Sequence, residues 1–190
     1  NRLKRFHFRE MDNPGVYFNH NIRRMLDNYR FSFTQLADQY LEQNQPDSAL
    51  HWLKWGQEKI PFTSVEGDMS SMVSYAYRYA RLGAIDEALE LAQRGEDEIL
   101  DELEYRMNRY DDIQAEIGQL ESRINTAKKN ANYGTQRKLQ GKLKDVQSSR
   151  KSQAQQVSYA TSRLIFIQRI YYMADEDEAA NSLASQVNEM

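Results

Sequence analysis

Residues 96–127 read EDEILDELEYRMNRYDDIQAEIGQLESRINTA. The positions Ile99, Leu103, Arg106, Tyr110, Ile113, Ile117, Leu120, Ile124 and Ala127 alternate at spacings of four and three, where an ordinary surface helix would drift at 3.6. A seam kept in step over four heptads marks a helix that buries one narrow stripe against another helix. The partner lies in the same chain. After Lys128 to Thr135, which is Asn-rich at its centre and contains Gly134, the spacing resumes through Leu139, Leu143, Val146, Arg150, Gln153, Val157, Ala160, Leu164, Ile167, Tyr171 and Ala174. Two seams joined by so short a connection fold back on each other. The antiparallel register then sets Ile124 against Leu139, Leu120 against Leu143, Ile117 against Val146, Ile113 against Arg150, Tyr110 against Gln153 and Arg106 against Val157. Its middle layers are polar, and polar seam residues trade stability for a fixed register.

Upstream of the seam the spacing is that of ordinary amphipathic helices. Ile22, Met25, Leu26, Tyr29, Phe33, Leu36, Ala37 and Tyr40 predict a helix from about His20 to Asn44. Pro46 suits the first turn of a following helix, since its missing N–H has no partner there, and that helix is expected over Asp47 to about Lys59. The same layout returns after the link PFTSVEGD, with a helix over Ser70 to Leu82, a turn at Gly83 and a second helix from about Asp86. Overlaying Ala49 on Ala88 places Phe33, Leu36, Ala37, Tyr40, Leu53 and Gly56 on Met72, Tyr75, Ala76, Tyr79, Ala92 and Gly95. This pattern of large apolar, small, aromatic and small residues, closed in the first copy by Pro61, resembles the tetratricopeptide family. Near the end, Asp177-Glu178-Ala179-Ala180 and Ala184 echo Asp86-Glu87-Ala88 and Ala92, so the last helix completes a third pair with the end of the returning arm. The expected fold is all-α, made of tetratricopeptide-like helical hairpins with a long antiparallel coiled-coil hairpin inserted. Its divisions are an extended lead-in over 1–19, two repeats over 20–95, the hairpin over 96–174 and the terminal helix over 175–190.

Composition narrows the function classes. The 190 residues are 40% hydrophobic and 28% charged, and eight Gly and three Pro leave few breaks for short strands. The absence of cysteine removes disulfides, thiolate metal sites and a cysteine nucleophile. No apolar run approaches the roughly 18 residues needed to span a bilayer. His7, His20 and His51 are scattered, with only Asp47 near His51 at helical spacing, whereas a metal centre needs three or four converging ligands. The acid pairs Asp111-Asp112 and Asp175/Asp177 read as solvated helix surface. Neither a phosphate-cradling glycine loop nor a nucleophile elbow is present. No cofactor is expected and no reaction is assigned to this chain.

Charge is uneven despite a net of −3. Residues 123–151 hold nine basic side chains against Asp145, while residues 84–116 hold twelve acids against Arg94, Arg106 and Arg109. The hairpin tip, with Lys128, Lys129, Arg137 and Lys138, is therefore a candidate contact for an anionic membrane surface, the alternative being a basic tip that only resists aggregation. Tyr133 is the lone aromatic there, so nucleic acid is not the expected partner. By the tetratricopeptide pattern the concave positions are Thr34, Asp38 and Leu41 in the first repeat and Val73, Tyr77 and Arg81 in the second. These would bind a protein or peptide, or another domain of a parent chain, unless the protein's own terminal helix fills the groove. With its seam satisfied internally, the isolated chain is expected to be a monomer.

A second resemblance rests on Phe8, Arg9, Met11, Asp12, Pro14, Val16, Tyr17, Arg23, Arg24, Asn28, Tyr29, Arg30, Phe33, Leu36 and Ala37. Over roughly residues 6–61 this spacing resembles the start of the C-terminal region in Bacteroidetes membrane proteins that carry the DUF2723 domain. Those proteins are similar to type-C glycosyltransferases related to protein O-mannosyltransferases. The resemblance implies a soluble tail that follows membrane segments, with the catalytic residues upstream. It implies either a non-catalytic interaction and scaffold module or a domain that positions the acceptor or regulates the enzyme. It also implies the periplasmic side of the membrane, whereas Arg2, Lys4 and Arg5 beside a membrane favour the cytoplasmic face.

Overall fold

The computed structural model describes residues 9–13, 15–65 and 67–189. The readings placed on residues 1–8, Pro14 and Met190 fall outside the described residues. The fold is all-α, with six helices and no strand among the described residues: α1 His20–Glu42, α2 Pro46–Lys59, α3 Met69–Arg81, α4 Ile85–Lys129, α5 Tyr133–Met173 and α6 Asp177–Glu189. The chain divides into two compact units, one formed by Asn1–Asp97 with Arg163–Met190 and the other by Glu98–Ser162.

The first unit is held together by one turn used three times. After α1, α3 and α5 the middle residue of a three-residue connection takes a positive φ: Asn44 at 54°, Gly83 at 73° and Asp175 at 58°. The next N–H in each case returns to a tyrosine carbonyl five residues back, from Gln45 to Tyr40 (2.9 Å), Ala84 to Tyr79 (3.0 Å) and Glu176 to Tyr171 (2.9 Å). This left-handed closure satisfies carbonyls that a helix end leaves without donors. Four residues on, Ala49, Ala88 and Ala180 donate to Gln45, Ala84 and Glu176 and start the following helix. All three alanines are fully buried. The unit therefore holds three equivalent helix pairs: α1 with α2, α3 with the start of α4, and the end of α5 with α6.

Small residues set how closely these helices approach. A Cβ added to Gly56 would lie 2.6 Å from Phe33 Cδ2 and 2.7 Å from the Tyr75 hydroxyl, so α2 meets α1 and α3 with no room for a methyl group. Gly95 holds the matching place in the second pair, but there a Cβ would find Ile167 and Val73 at 3.6 Å, an ordinary contact. Around these points Phe33, Leu53, Met72, Tyr75, Tyr79, Ile167 and Tyr171 form the core. Its hydroxyls are all engaged: Tyr75 donates to Arg30 O (3.3 Å), Tyr79 to Gln57 Oε1 (2.7 Å) and Tyr171 to Glu96. Burial pushes all three phenols above their usual range, helped for Tyr171 by the Glu96 carboxylate. On the surface Lys54 of α2 pairs with Glu87 of α4 and holds that carboxyl below its ordinary range.

The lead-in differs from the expected extended segment. Where described it is a run of tight turns, with Asn13 N donating to Glu10 O and Val16 N to Asn13 O. Ser64 Oγ reaches back to Met11 O at 2.6 Å and ties this stretch to the link before α3. Arg30 holds the other side of that link. Its side chain is fully buried, and its guanidinium donates to Ile60 O (3.4 and 3.3 Å), Pro61 O (3.2 Å), Val65 O (2.7 Å) and Asp27 Oδ1 (2.8 Å). The Phe62 ring lies 4.2 Å from its central carbon. Burial lowers the Arg30 pKa, and Asp27 opposes that shift. An irregular segment with few backbone partners of its own is thus closed by one arginine.

The second unit is the hairpin. In residues 108–127 of α4 the positions that are not exposed are Tyr110, Ile113, Ile117, Leu120, Ile124 and Ala127. In residues 137–160 of α5 they are Leu139, Leu143, Val146, Arg150, Gln153, Val157 and Ala160. These are the seam residues. Arg150 Nη1 donates across to Gln114 Oε1 at 3.0 Å, and Met107 and Tyr110 share a cavity of about 250 Å³ with Ala154 and Val157. The arms are therefore antiparallel, and the polar middle layers coincide with imperfect packing. The connection is shorter than expected: α4 continues to Lys129 and α5 starts at Tyr133, leaving only Asn130, Ala131 and Asn132. Gly134 lies inside the first turn of α5, and the positive φ belongs to Ala131 (53°). Asn132 N returns to Ala127 O (2.9 Å) while its side chain caps α5 through Thr135 N (3.1 Å).

Candidate functional site

In the first unit, the last turns of α1 and α3 leave a concavity of about 380 Å³ lined by Asp38, Leu41, Glu42, Tyr77, Arg78 and Arg81. Four of the six residues expected on a concave face thus come together: Asp38, Leu41, Tyr77 and Arg81. Thr34 and Val73 do not join them. Thr34 is buried and its hydroxyl donates to Phe31 O within its own helix (2.8 Å), while Val73 is buried towards Gly95. Both sit about one turn deeper along their helices than Asp38 and Tyr77, where the surface is buried.

The polar chemistry also differs from the expected pairing. Asp38 is held by Arg78, which donates through Nε (3.0 Å) and Nη2 (2.5 Å) in a two-pronged bond. The third nitrogen of Arg78 donates to Ser74 O (3.0 Å) and Ser74 Oγ (2.6 Å). This pair is a strut between α1 and α3, already satisfied. Arg81 is exposed and lies over the Tyr77 ring at 5.9 Å.

Two residues absent from the sequence expectation extend the site. The Tyr77 ring meets Phe166 of α5 edge to face, with centroids 6.2 Å apart and planes at 86°, and Arg169 lies 5.5 Å from the Phe166 centroid. Ile165, Phe166, Tyr172 and Met173 are each at least 40% exposed, which makes this side of α5 an apolar strip around Arg169. Tyr172 donates to Asn181 Oδ1 of α6 at 3.1 Å. The signal that could have found them is the third copy of the turn. Counting back from Tyr171 as from Tyr40 and Tyr79 puts Arg169 in the place of Asp38 and Tyr77.

At the hairpin tip of the second unit Lys128, Lys129, Arg137 and Lys138 are all exposed, and Tyr133 is 74% exposed. Lys128 and Lys129 occupy the last turn of α4, where positive charge suits the helix dipole. His20, His51, Asp111, Asp112, Asp175 and Asp177 are exposed, and no group of three or more potential metal ligands gathers among the described residues. A further concavity of about 500 Å³ involves His20, Arg23, Arg24 and Asp27. Its Asp27 is already committed to Arg30 and to Asp68 N (3.2 Å).

Some of the residues behind the membrane-protein resemblance have structural roles, while Tyr17, Arg24 and Asn28 are exposed. Arg30 closes the link, Phe33 and Ala37 are fully buried, and Met11 accepts from Ser64. No helix among the described residues is long and apolar enough to cross a membrane. Comparison with protein-family models, curated protein sequences and solved structures yields no match.

Proposed function

We propose that the chain is a non-catalytic, tetratricopeptide-like docking module whose partner, a peptide or an exposed segment of another domain, lies across α1, α3 and α5 of the first unit. One observation carries the reading: the aromatic pair of half-buried Tyr77 and exposed Phe166, set beside a concavity whose polar wall, Asp38 with Arg78, is already self-satisfied. A satisfied wall costs little to cover, and exposed aromatic area next to it supplies contact at low entropy cost. The three equivalent turns support the repeat reading, since each joins a first helix to a second with the same closure. Peptides selected from a random display library on the immobilised protein test it. Enriched peptides should lose at least about tenfold in affinity for Tyr77→Ala/Phe166→Ala, roughly 1.4 kcal/mol. Equal affinity for that variant, with its helicity intact, contradicts the groove.

A second contact is favoured by the tip, where four exposed cations and Tyr133 surround a three-residue turn. We infer that it meets anionic surfaces, each cation near such a surface contributing about 1 kcal/mol at most. Sedimentation with phosphatidylserine vesicles should show binding that weakens with salt and is lost when Lys128, Lys129, Arg137 and Lys138 become Glu. Binding retained by that variant rules the contact out.

A further inference from the structure

The groove described above contains a ladder that narrows the chemistry of its occupant. Arg81, Tyr77, Phe166 and Arg169 follow one another across α3 and α5, each cation over a ring and the two rings edge to face. Arg78, the nearby third cation, is fully used by Asp38 and Ser74. Arg81 and Arg169 make no ion pair among the described residues. A guanidinium resting on a ring commits its face and leaves its N–H edges free, in the fork that matches a carboxylate.

Between the two forks lie Tyr77 and Phe166, with Ile165 and Met173 exposed on the same helix as Phe166. The site thus alternates positive, apolar and positive. Glu42, the last residue of α1 and also part of the lining, disfavours carboxylates at the α1 end and sorts them towards α3 and α5. From this charge complementarity we propose that the occupant is an acidic peptide in which carboxylates flank an apolar side chain. The proposal rests on the groove being a docking surface and adds the class of its ligand.

The test uses fluorescein-labelled nine-residue peptides with a central Leu-Phe pair flanked on both sides by Glu, by Gln or by Lys. Their anisotropy is followed with the whole chain at two salt concentrations. The Glu peptide should bind about tenfold more tightly than the Gln peptide and the Lys peptide most weakly, with a preference that shrinks as salt rises. Arg81→Gln/Arg169→Gln should bring Glu and Gln peptides within about twofold of each other while leaving the Gln peptide's affinity in place. If all three peptides bind alike and all depend on Tyr77 and Phe166, the acidic ligand is wrong and the docking groove stands. If none binds, or if neither the arginine nor the aromatic substitutions change binding, both are wrong. Self-association of the chain that the two arginine substitutions abolish would put a second copy in the groove and overturn the peptide.

Discussion

Replacing Arg30 with Met keeps the length of the stem and removes the guanidinium, so the effect isolates the closure of the link before α3. The buried Ile60 O and Val65 O lose their side-chain donor, Pro61 O loses one bond, and Asp27 loses its counter-charge. A buried acceptor left without a donor costs about 1–3 kcal/mol, and breaking a buried ion pair on one side costs about 3–5 kcal/mol. These contributions overlap, and relaxation of the link recovers part, so the expected loss is about 4 kcal/mol. That is a large share of the roughly 5–15 kcal/mol that holds a domain folded. Urea titration followed by circular dichroism and by the fluorescence of Trp52 and Trp55 measures it. Arg30→Lys should recover only part, because a single ammonium cannot reach Ile60, Val65 and Asp27 together. A double substitution with Asp27→Asn should cost less than the sum of the singles, since the carboxylate no longer lacks its partner. A loss below about 1 kcal/mol for Arg30→Met, or strict additivity with Asp27→Asn, refutes the closure.

The other predictions concern packing and titration. Gly56→Ala should destabilise by about 1–3 kcal/mol through its clash with Phe33 and Tyr75, whereas Gly95→Ala should be neutral or stabilise by up to about 1 kcal/mol, as ordinary helix propensity dictates. Equal effects in urea titrations contradict the difference in helix approach. Tyr75 and Tyr79 are buried with raised pKa values, so their stabilising contribution is complete below about pH 10, where an unfolded phenol stays neutral, and declines as pH rises above it. With Tyr171, which is raised as well, the three should cost about 4 kcal/mol per pH unit there, and Tyr75→Phe should remove about a third of that slope; an unchanged slope in that variant opposes it. In the hairpin, Gln153 Oε1 is buried without a hydrogen-bond partner among the described residues, next in sequence to a residue lining the cavity between the arms. Gln153→Leu should therefore raise stability by about 1 kcal/mol, and a lower melting temperature would show that the glutamine is better satisfied than its geometry implies.

The heptad seam was legible because a 3.5-residue period leaves little freedom: from Leu103 to Ala160 each expected seam position is covered. The first two helix pairs were legible for a related reason, since Ala49 and Ala88 mark crossings that admit only small side chains. The third pair was visible only through its last helix. Its first helix is continuous with the returning arm, so Leu164, Ile167 and Tyr171 read equally well as more heptads. That ambiguity hid Phe166 and Arg169, which lie off the seam and look like a plain outer face until the turn at Asp175 is seen to repeat those at Asn44 and Gly83. Thr34 and Val73 were misplaced because periodicity assigns a face without saying how far along the helix that face is buried. The connection is shorter than Lys128 to Thr135 because Ala131 takes the positive φ and Asn132 caps the helix that follows, so Gly134 is already helical. Arg30 carried no signal of burial in the sequence, since its partners other than Asp27 are main-chain carbonyls thirty or more residues away.

Backbone amide chemical-shift mapping with the Glu-flanked peptide locates the docking surface on the chain. The largest changes should fall at Asp38 to Glu42 of α1, Tyr77 to Arg81 of α3 and Phe166 to Met173 of α5, with the link before α3 and the hairpin tip unaffected. Changes confined to the link or the tip, or none at saturating peptide, would contradict it.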